Sequence, residues 1–481
     1  MVEQSFYWHD YETFGVDPKR DRAVQFAGIR TDFDFNVIGE PLVIYCKPTD
    51  DMLPQPEACV VTGITPQLAM EKGICEAEFI AAIHHEMSKQ ATCTLGYNNL
   101  RFDDEVTRNL LYRNFYDSYA REWQRGNSRW DLIDLIRTMY ALRPEGIKWP
   151  VNEEGKVSLK LDQLTIENGI EHAAAHDALS DVYATIELAK LIKQDQPKLF
   201  QFLLDNRGKK AVSSLLQLGS FKPVIHVSGM YGTDKQYLAM VLPLCQHPTN
   251  NNGVIVYDLS IPPDDLLQLS AEEIHTRLFT ATVDLPVGVE RIPLKTVHIN
   301  KCPVIAPLNV LRAEDAIRLN INVELAITHA RQIEESASLL AIIKDTFSMG
   351  VEYEPITDPD LMIYTGGFFT ARDKAVSEEI RGLNVEQLSG YEIVSDDARL
   401  AEMFFRYKAR NYPETLSDIE YKKWLGFCYS RLSDDVNDGF IGFLDYEKKL
   451  SELKLQDGVD PSLVKVLREY AEELKIKLEL K

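Results

Sequence analysis

Residues 6–15 read Phe6-Tyr-Trp-His-Asp10-Tyr-Glu12-Thr-Phe-Gly15. The stretch begins as a core strand does, with bulky aromatic residues, and then carries two carboxylates two positions apart. Side chains i and i+2 of a strand leave the same face, so Phe6, Trp8, Asp10 and Glu12 share one side. Two anions side by side repel each other, and taking them out of water without partners is costly. A bound cation would resolve both problems. The ordinary alternatives are an exposed strand end, or pairing with Arg20 or Arg22, and the decapeptide leaves these open.

Length and composition narrow the classes. A chain of 481 residues is long for one core and suggests two to four domains. With 45% hydrophobic and 26% charged residues it has the composition of an ordinary globular protein. The formal net charge of −22 argues against coating DNA by bulk attraction. It does not argue against a nuclease, whose carboxylates are compensated locally by metal. The seven cysteines are scattered and never form a CxxC pair, which fits a reducing cytoplasm and no structural zinc. Neither a long apolar run nor a basic-then-apolar N-terminus is present, so neither a membrane span nor a secretory signal is expected.

Periodicity then sets the organisation. Three β-rich runs, Phe6–Thr13, Ala23–Thr31 and Val37–Tyr45, precede a helix at Glu76–Ser88, a strand at Thr92–Gly96 and a helix at Asp103–Phe115. The order β-β-β-α-β-α predicts a mixed sheet covered by helices, an α/β domain closed by a helix over Asp177–Gln194. From about 198 to 350 short β-rich pieces broken by Pro and Gly fit a small barrel or sandwich: Val224–Val227, Tyr237–Pro243, Gly253–Leu259 and Lys295–Ile299. A helix over Val323–Lys344 follows. Beyond about 350 the pattern is helical, with Ala398–Tyr412, Ser417–Leu432 and Pro461–Glu479. The expected domains are therefore 1–197, 198–350 and 351–481.

Two further segments could supply carboxylates to the first. In Gly96-Tyr-Asn-Asn-Leu-Arg-Phe-Asp103-Asp-Glu a strand ends and a helix begins, and an N-cap role alone could explain Asp103 or Asp104. In Glu171-His-Ala-Ala-Ala-His176-Asp-Ala-Leu-Ser-Asp181, Asp181 shares a helix face with alanines and Leu188 and should be partly buried. His176, about one and a half turns earlier, sits where a base could approach a water. The bland alternative is that His172 and His176 are surface residues near a helix start.

The ordered set Asp-x-Glu, Asp, His-x4-Asp resembles the DEDDh exonucleases. More specifically, "HDYETFG", "TGITPQ", "GYNNLRFDDEVTRN", "NSRWDL" and "AHDALSDVYAT", with "HVSGM", "HINKCPV" and "ARNYPETL" downstream, resemble the bacterial exonuclease I family nearly end to end. The resemblance implies an RNase H-like exonuclease domain, an SH3-like β-barrel domain and an all-α C-terminal domain. It implies processive 3′-to-5′ digestion of single-stranded DNA to 5′-mononucleotides, in DNA repair and recombination. Asp10, Glu12, Asp103 and Asp181 would hold two Mg²⁺ ions, for which Mn²⁺ could substitute, and His176 would be the general base.

Strand contacts are expected from the stretch Arg108–Trp130, where arginines alternate with aromatics. Half of those aromatics are expected in the core. The candidates are Arg108, Tyr119, Trp123 and Arg137, with Glu12, Thr62 and Thr65 at the terminal nucleotide and Lys160 near the scissile phosphate by resemblance. The family likeness also implies a partner, the acidic C-terminal tail of single-stranded DNA-binding protein. Arg143, Lys222, Arg312, Arg318 and Arg331 are the candidates to meet it. A monomer is expected. The rival readings are a DEDDh exoribonuclease or proofreading exonuclease, a non-catalytic repair scaffold, and an HD-type phosphohydrolase, which lacks its other histidines here.

Overall fold

The computed structural model describes residues 4–172, 177–350, 355–433 and 439–479. His176 lies outside these described residues. The aromatic-rich stretch forms β1 (Ser5–Thr13), which pairs antiparallel with β2 (Ala23–Thr31). Next come β3 (Leu42–Tyr45), α1 (Pro56–Thr62), α2 (Pro66–Lys72), α3 (Glu76–Met87), β4 (Thr92–Gly96) and α4 (Asp103–Arg113). β1 pairs parallel with β4, so the sheet is mixed, with the order β3-β2-β1-β4. The strand expected from Val37 is regular only from Leu42. Val37 makes an isolated bridge to Thr31, Gly39 takes a left-handed φ of 79°, and Pro41 has no N–H to give a ladder.

The chain continues through β5 (Ser128–Asp131), α5 (Leu132–Leu142), α6 (Leu161–Glu167) and α7 (Ala178–Asp195). Residues 1–128, 172–186 and 355–481 form one compact unit, and residues 129–171 and 187–354 a second.

In the first unit, the two faces of β1 diverge as alternation requires. Tyr7 and Tyr11 pack with Phe26 of β2, Phe79, Ile80 and Ile83 of α3, and Val106, Leu110 and Leu111 of α4. On the other face Phe6 stacks on Phe33 at 4.3 Å and meets Trp8 at 5.5 Å, and Asp10 and Glu12 continue that row. The C-terminal helices Arg399–Asn411, Asp418–Leu432, Phe443–Leu453 and Pro461–Glu479 belong to this unit, and Phe405, Trp424, Leu450 and Leu467 share a core with Phe14, Val24 and Leu53.

A buried ionic network crosses the same contact. Asp51, fully buried, accepts from Arg410 and Arg431 at 2.8 Å each and from Arg22 at 3.4 Å. Arg22 also reaches Glu76, which takes Arg113 at 2.9 Å, while Arg410 reaches Asp360. Burial alone would raise the Asp51 carboxyl, but Arg410, Arg22 and Arg431 outweigh it and hold it well below the usual carboxylate range.

In the second unit, five antiparallel strands run in the order β10 (Val304–Pro307), β6 (Val224–Val227), β7 (Leu238–Gln246), β8 (Gly253–Asp258) and β9 (Leu294–His298). Their inward residues, among them Val224, Val241, Val256, Val297 and Ile305, close over Val212 and Leu216. The helix expected over Val323–Lys344 is two helices, Val323–Glu334 and Leu339–Ser348, interrupted where Ser336 and Ser338, whose hydroxyls compete for backbone groups, flank Ala337. Among the described residues, no helix is long and apolar enough to cross a membrane.

Removing one partner of a buried ion pair typically costs about 3–5 kcal/mol, because the other charges stay buried and uncompensated. Asp51→Ala is therefore expected to lower the unfolding free energy by about that amount in urea denaturation, and a loss below about 1 kcal/mol would contradict the network's structural role.

Candidate active site

The end of β1 delivers two of the four expected carboxylates. Glu12 is 8% exposed and Asp10 is half-buried, so neither sits at an exposed strand end. Neither arginine named as an alternative partner takes them: Arg20 pairs with Asp17, and Arg22 with Asp51 and Glu76.

Asp181 reaches them through α7. Gln25 lies on β2 directly opposite Glu12. Its amide donates to Asp177 Oδ1 at 3.1 Å, and its side-chain oxygen accepts from the Ala178 N–H at 3.4 Å. Asp177 in turn accepts from the Ser180 N–H at 3.2 Å. The start of α7 is thus capped by its own Asp and pinned to the sheet by a glutamine on the neighbouring strand. One turn along, Asp181 projects toward β1. One ligand oxygen from each of Asp10, Glu12 and Asp181 lies within 4.8 Å of the others.

Asp103 begins α4 but does not cap it. The N-cap position is Phe102, which makes no side-chain capping bond. The Asp103 carboxylate instead accepts from the Tyr11 N–H at 3.2 Å, on the backbone between Asp10 and Glu12. It is 4% exposed. Its neighbour Asp104 turns the other way, into a fully buried 2.7 Å pair with Arg121.

The electrostatic result is strain. Burial, then Asp103, Glu12, Asp181 and Asp177, push the Asp10 carboxyl well above its ordinary value. Burial, then Asp181, Asp103 and Asp177, push Glu12 up to about 8. Three convergent carboxylate oxygens with a fourth acid adjoining are the donor set of a hard divalent cation. The residues fit such a group, and its charge would remove the repulsion that holds protons on the site.

His172, for which a surface position near a helix start was the bland alternative, has a buried side chain. Its side chain is 3% exposed and its Nε2 lies 2.6 Å from Asp181 Oδ1. It sits nine residues before Asp181 in a segment that precedes α7, so no helical periodicity could have paired the two. Gln25 was missed for a similar reason, since it depends on the register of β2 against β1.

The expected strand contacts divide. Arg108 is 4% exposed, forks onto Glu122 at 2.7 and 3.0 Å, pairs with Glu105, and lies over the Tyr119 ring at 5.3 Å. Trp123 is 67% exposed. Of the six aromatics between Arg108 and Trp130, Tyr112, Phe115 and Trp130 are buried, which is the half expected. The Thr62 hydroxyl donates to the Ala58 carbonyl at 3.0 Å, and Thr65 caps α2 by accepting from the Leu68 N–H. Lys160 is exposed just before α6. Arg137 pairs with Asp134 at 2.7 Å. Among the partner candidates, Arg143, Arg312 and Arg318 all reach the buried carboxylate of Asp315. Lys222 and Arg331 are exposed.

The sequence matches three family descriptions in succession: "Exonuclease" over residues 7–189, "Exonuclease I SH3-like domain" over 207–349 and "Exonuclease I C-terminal domain" over 357–474. The exodeoxyribonuclease I of Escherichia coli K12 is 46% identical over 98% of both chains, and that of Haemophilus influenzae is 45% identical over the same shares. The chain belongs to the exonuclease I family. Among solved members of the exonuclease I family, the Methylocaldum szegediense enzyme is 50% identical with a TM-score of 0.94, covering 98% of this chain and 99% of that one. The E. coli exonuclease I complex with a dA16 oligonucleotide has a TM-score of 0.94 at 45% identity, covering 98% and 100%.

The raised carboxyl groups make both stability and metal affinity depend on pH. Folded Glu12 keeps its proton up to about pH 8 while the unfolded chain loses it in the ordinary carboxylate range, so metal-free stability falls as pH rises between the two. Cation binding must expel those protons. Mg²⁺ affinity measured by calorimetry is therefore expected to rise from pH 6 to pH 8.5, with proton release that fades above about 8. A pH-independent affinity without proton release would contradict the arrangement.

Proposed function

We propose that the protein removes nucleotides from the 3′ end of single-stranded DNA by divalent-metal-assisted hydrolysis, moving processively and releasing 5′-mononucleotides. The observation that carries this reading is the convergence of Asp10, Glu12 and Asp181 within 4.8 Å in a member of the exonuclease I family. Relatives solved with single-stranded oligonucleotides, and one E. coli complex described as zinc-bound, support the substrate and the metal dependence.

Asp10, Glu12, Asp103 and Asp181 are assigned to the metal, as two Mg²⁺ ions with Mn²⁺ as substitute. When bound, such a pair supplies Lewis acidity at the attacking water and at the leaving 3′-oxygen. The chain's own residues do the rest. Gln25 and Asp177 fix the start of α7, the Tyr11 N–H fixes Asp103, and His172 orients Asp181. His176, by its place in the His-x4-Asp motif, takes the proton from the attacking water.

Trp123 is the strand-facing aromatic best supported by its exposure, and Lys160 and Arg137 supply cations for phosphate. Arg108 and Tyr119 order the segment that carries Trp123, and Thr62 and Thr65 shape the turn assigned to the terminal nucleotide. The acidic tail of single-stranded DNA-binding protein is assigned to the second unit, with exposed Lys222 and Arg331 meeting it and Arg143, Arg312 and Arg318 grouped around Asp315. We assign residues 1–197 to the exonuclease domain, 198–350 to the SH3-like domain and 351–481 to the helical domain. The protein acts as a monomer in the cytoplasm.

A general base contributes about 10²–10⁴-fold, so His176→Ala is expected to lower kcat on single-stranded DNA by that factor. Asp181→Asn should remove nearly all turnover, with strand affinity in Ca²⁺ nearly unchanged for both. A wild-type rate in either variant would refute the assignment. On end-labelled strands, the 3′ label should leave first as mononucleotide, stop with chelator and resume with added Mg²⁺. Release of the 5′ label first would overturn the polarity.

A further inference from the structure

Three acids in a row, Asp103, Asp104 and Glu105, open α4, and only the first is aimed at the acidic cluster. Glu105 pairs with Arg108 at 2.6 Å, and Asp104 with Arg121 at 2.7 Å. Neither side chain of the second pair has any exposure. A charge pair placed wholly out of water adds little net stability over apolar packing, and its best-attested use is to specify register. Here it aligns the first turn of α4.

That turn has few other means of support. Its N-cap residue, Phe102, makes no side-chain bond, so the orphan N–H groups of the helix start must be fixed from elsewhere. The Asp104 N–H donates to the Asn99 carbonyl at 2.9 Å, and the Asp104 carboxylate meets Arg121. Arg121 is in turn tied to the sheet. Its Nη1 donates to Thr94 Oγ1 at 3.3 Å, in the middle of β4, and its carbonyl accepts from the Asn127 side-chain amide at 3.2 Å. The Asn127 side-chain oxygen accepts from the Thr92 N–H at 3.1 Å, at the start of the same strand.

β4 lies beside β1, whose Tyr11 N–H donates to the Asp103 carboxylate. The contacts therefore close a circuit. It runs from β4 through Arg121 and Asp104 to the helix start, through Asp103 to β1, and back across the β1–β4 ladder. One turn along α4, a pair of reversed polarity repeats the clamp: Arg108 of the helix forks onto Glu122, the neighbour of Arg121, at 2.7 and 3.0 Å. Rotation of α4 about its axis would break both pairs.

We propose that Arg121 is a positioning residue for the metal-binding carboxylate Asp103, acting through its buried pair with Asp104. It touches neither metal nor substrate. By holding Asp104 against β4 it turns the second acid of the run away from the cluster and fixes the first in the orientation that meets the Tyr11 N–H. This role rests on the assignment of Asp103 to the metal.

Groups that hold metal ligands in place typically contribute about 10–100-fold to metal affinity or activity. The test is Mn²⁺ binding by the full-length protein, followed by electron paramagnetic resonance of the free ion, with steady-state rates on single-stranded DNA alongside. Asp104→Leu combined with Arg121→Met removes both charges together, which buried pairs tolerate better than loss of one partner. In this double variant, Mn²⁺ affinity is expected to fall by about 10–100-fold and kcat to fall with it, while KM for the strand at saturating Mn²⁺ stays near the wild-type value. A cooperative thermal melt marks a variant as folded. Asp104→Asn, which keeps the side chain's shape, carries the same test should the double variant not fold, with a loss expected near the lower end of that range. Wild-type Mn²⁺ affinity and kcat in a folded variant of either kind, beside weakened Mn²⁺ binding in Asp103→Asn, overturn the role of Arg121 alone. Wild-type Mn²⁺ affinity in Asp103→Asn overturns the metal assignment on which that role rests.

Discussion

Like charges held together out of water are the constraint on which the site depends. Asp10 and Glu12 occupy successive positions of one strand face that began as an aromatic core, and Asp103 and Asp181 are brought against them from two helices. No folding advantage follows from such a cluster in the metal-free protein, since burial and repulsion push Glu12 up to about 8. The surrounding structure must therefore hold it. The Tyr11 N–H holds Asp103, and the Gln25 amide bridges Asp177 and the start of α7. The repulsion that destabilises the empty cluster is the same energy that makes it take up a divalent cation.

That holding depends on residues far along the chain. The N-terminal strands share a core with helices from the last quarter of the sequence, and the contact includes a network in which Arg22, Arg410 and Arg431 surround Asp51. Ion pairs of this kind have little net value over apolar packing, but breaking one leaves charges with no solvent. They fix register between segments that are distant in sequence, so the C-terminal helices are part of the unit that carries the acidic cluster.

Much of the site was legible because it obeys short-range rules. Alternation along Phe6–Glu12 placed both carboxylates on one face, and helical spacing made Asp181 partly buried. The class of the first domain followed from the β-β-β-α-β-α order. What was not legible depends on tertiary register. Gln25 acts through its position opposite Glu12, and His172 meets Asp181 across a nine-residue separation that no period encodes. Alternating cations and aromatics pointed to Arg108 and Tyr119, and the ion pairs of Arg108 with Glu105 and Glu122 are tertiary contacts that no such pattern encodes. Alternation of charge and ring identifies a segment that can bind nucleic acid; it does not say which cations the protein itself neutralises. Likewise Arg143, Arg312 and Arg318 converge because Asp315 is buried among them, a carboxylate that no motif or period singles out.

The most direct test of the account is to locate the metal. Crystals grown with a single-stranded oligonucleotide and Mn²⁺ in place of Mg²⁺ would reveal the ions by anomalous scattering. The account requires peaks coordinated by Asp10, Glu12 and Asp181, with Asp103 at the same centre and the 3′-terminal phosphodiester against them. Ions bound elsewhere, or the four carboxylates pointing apart around an ion-free strand end, would contradict it.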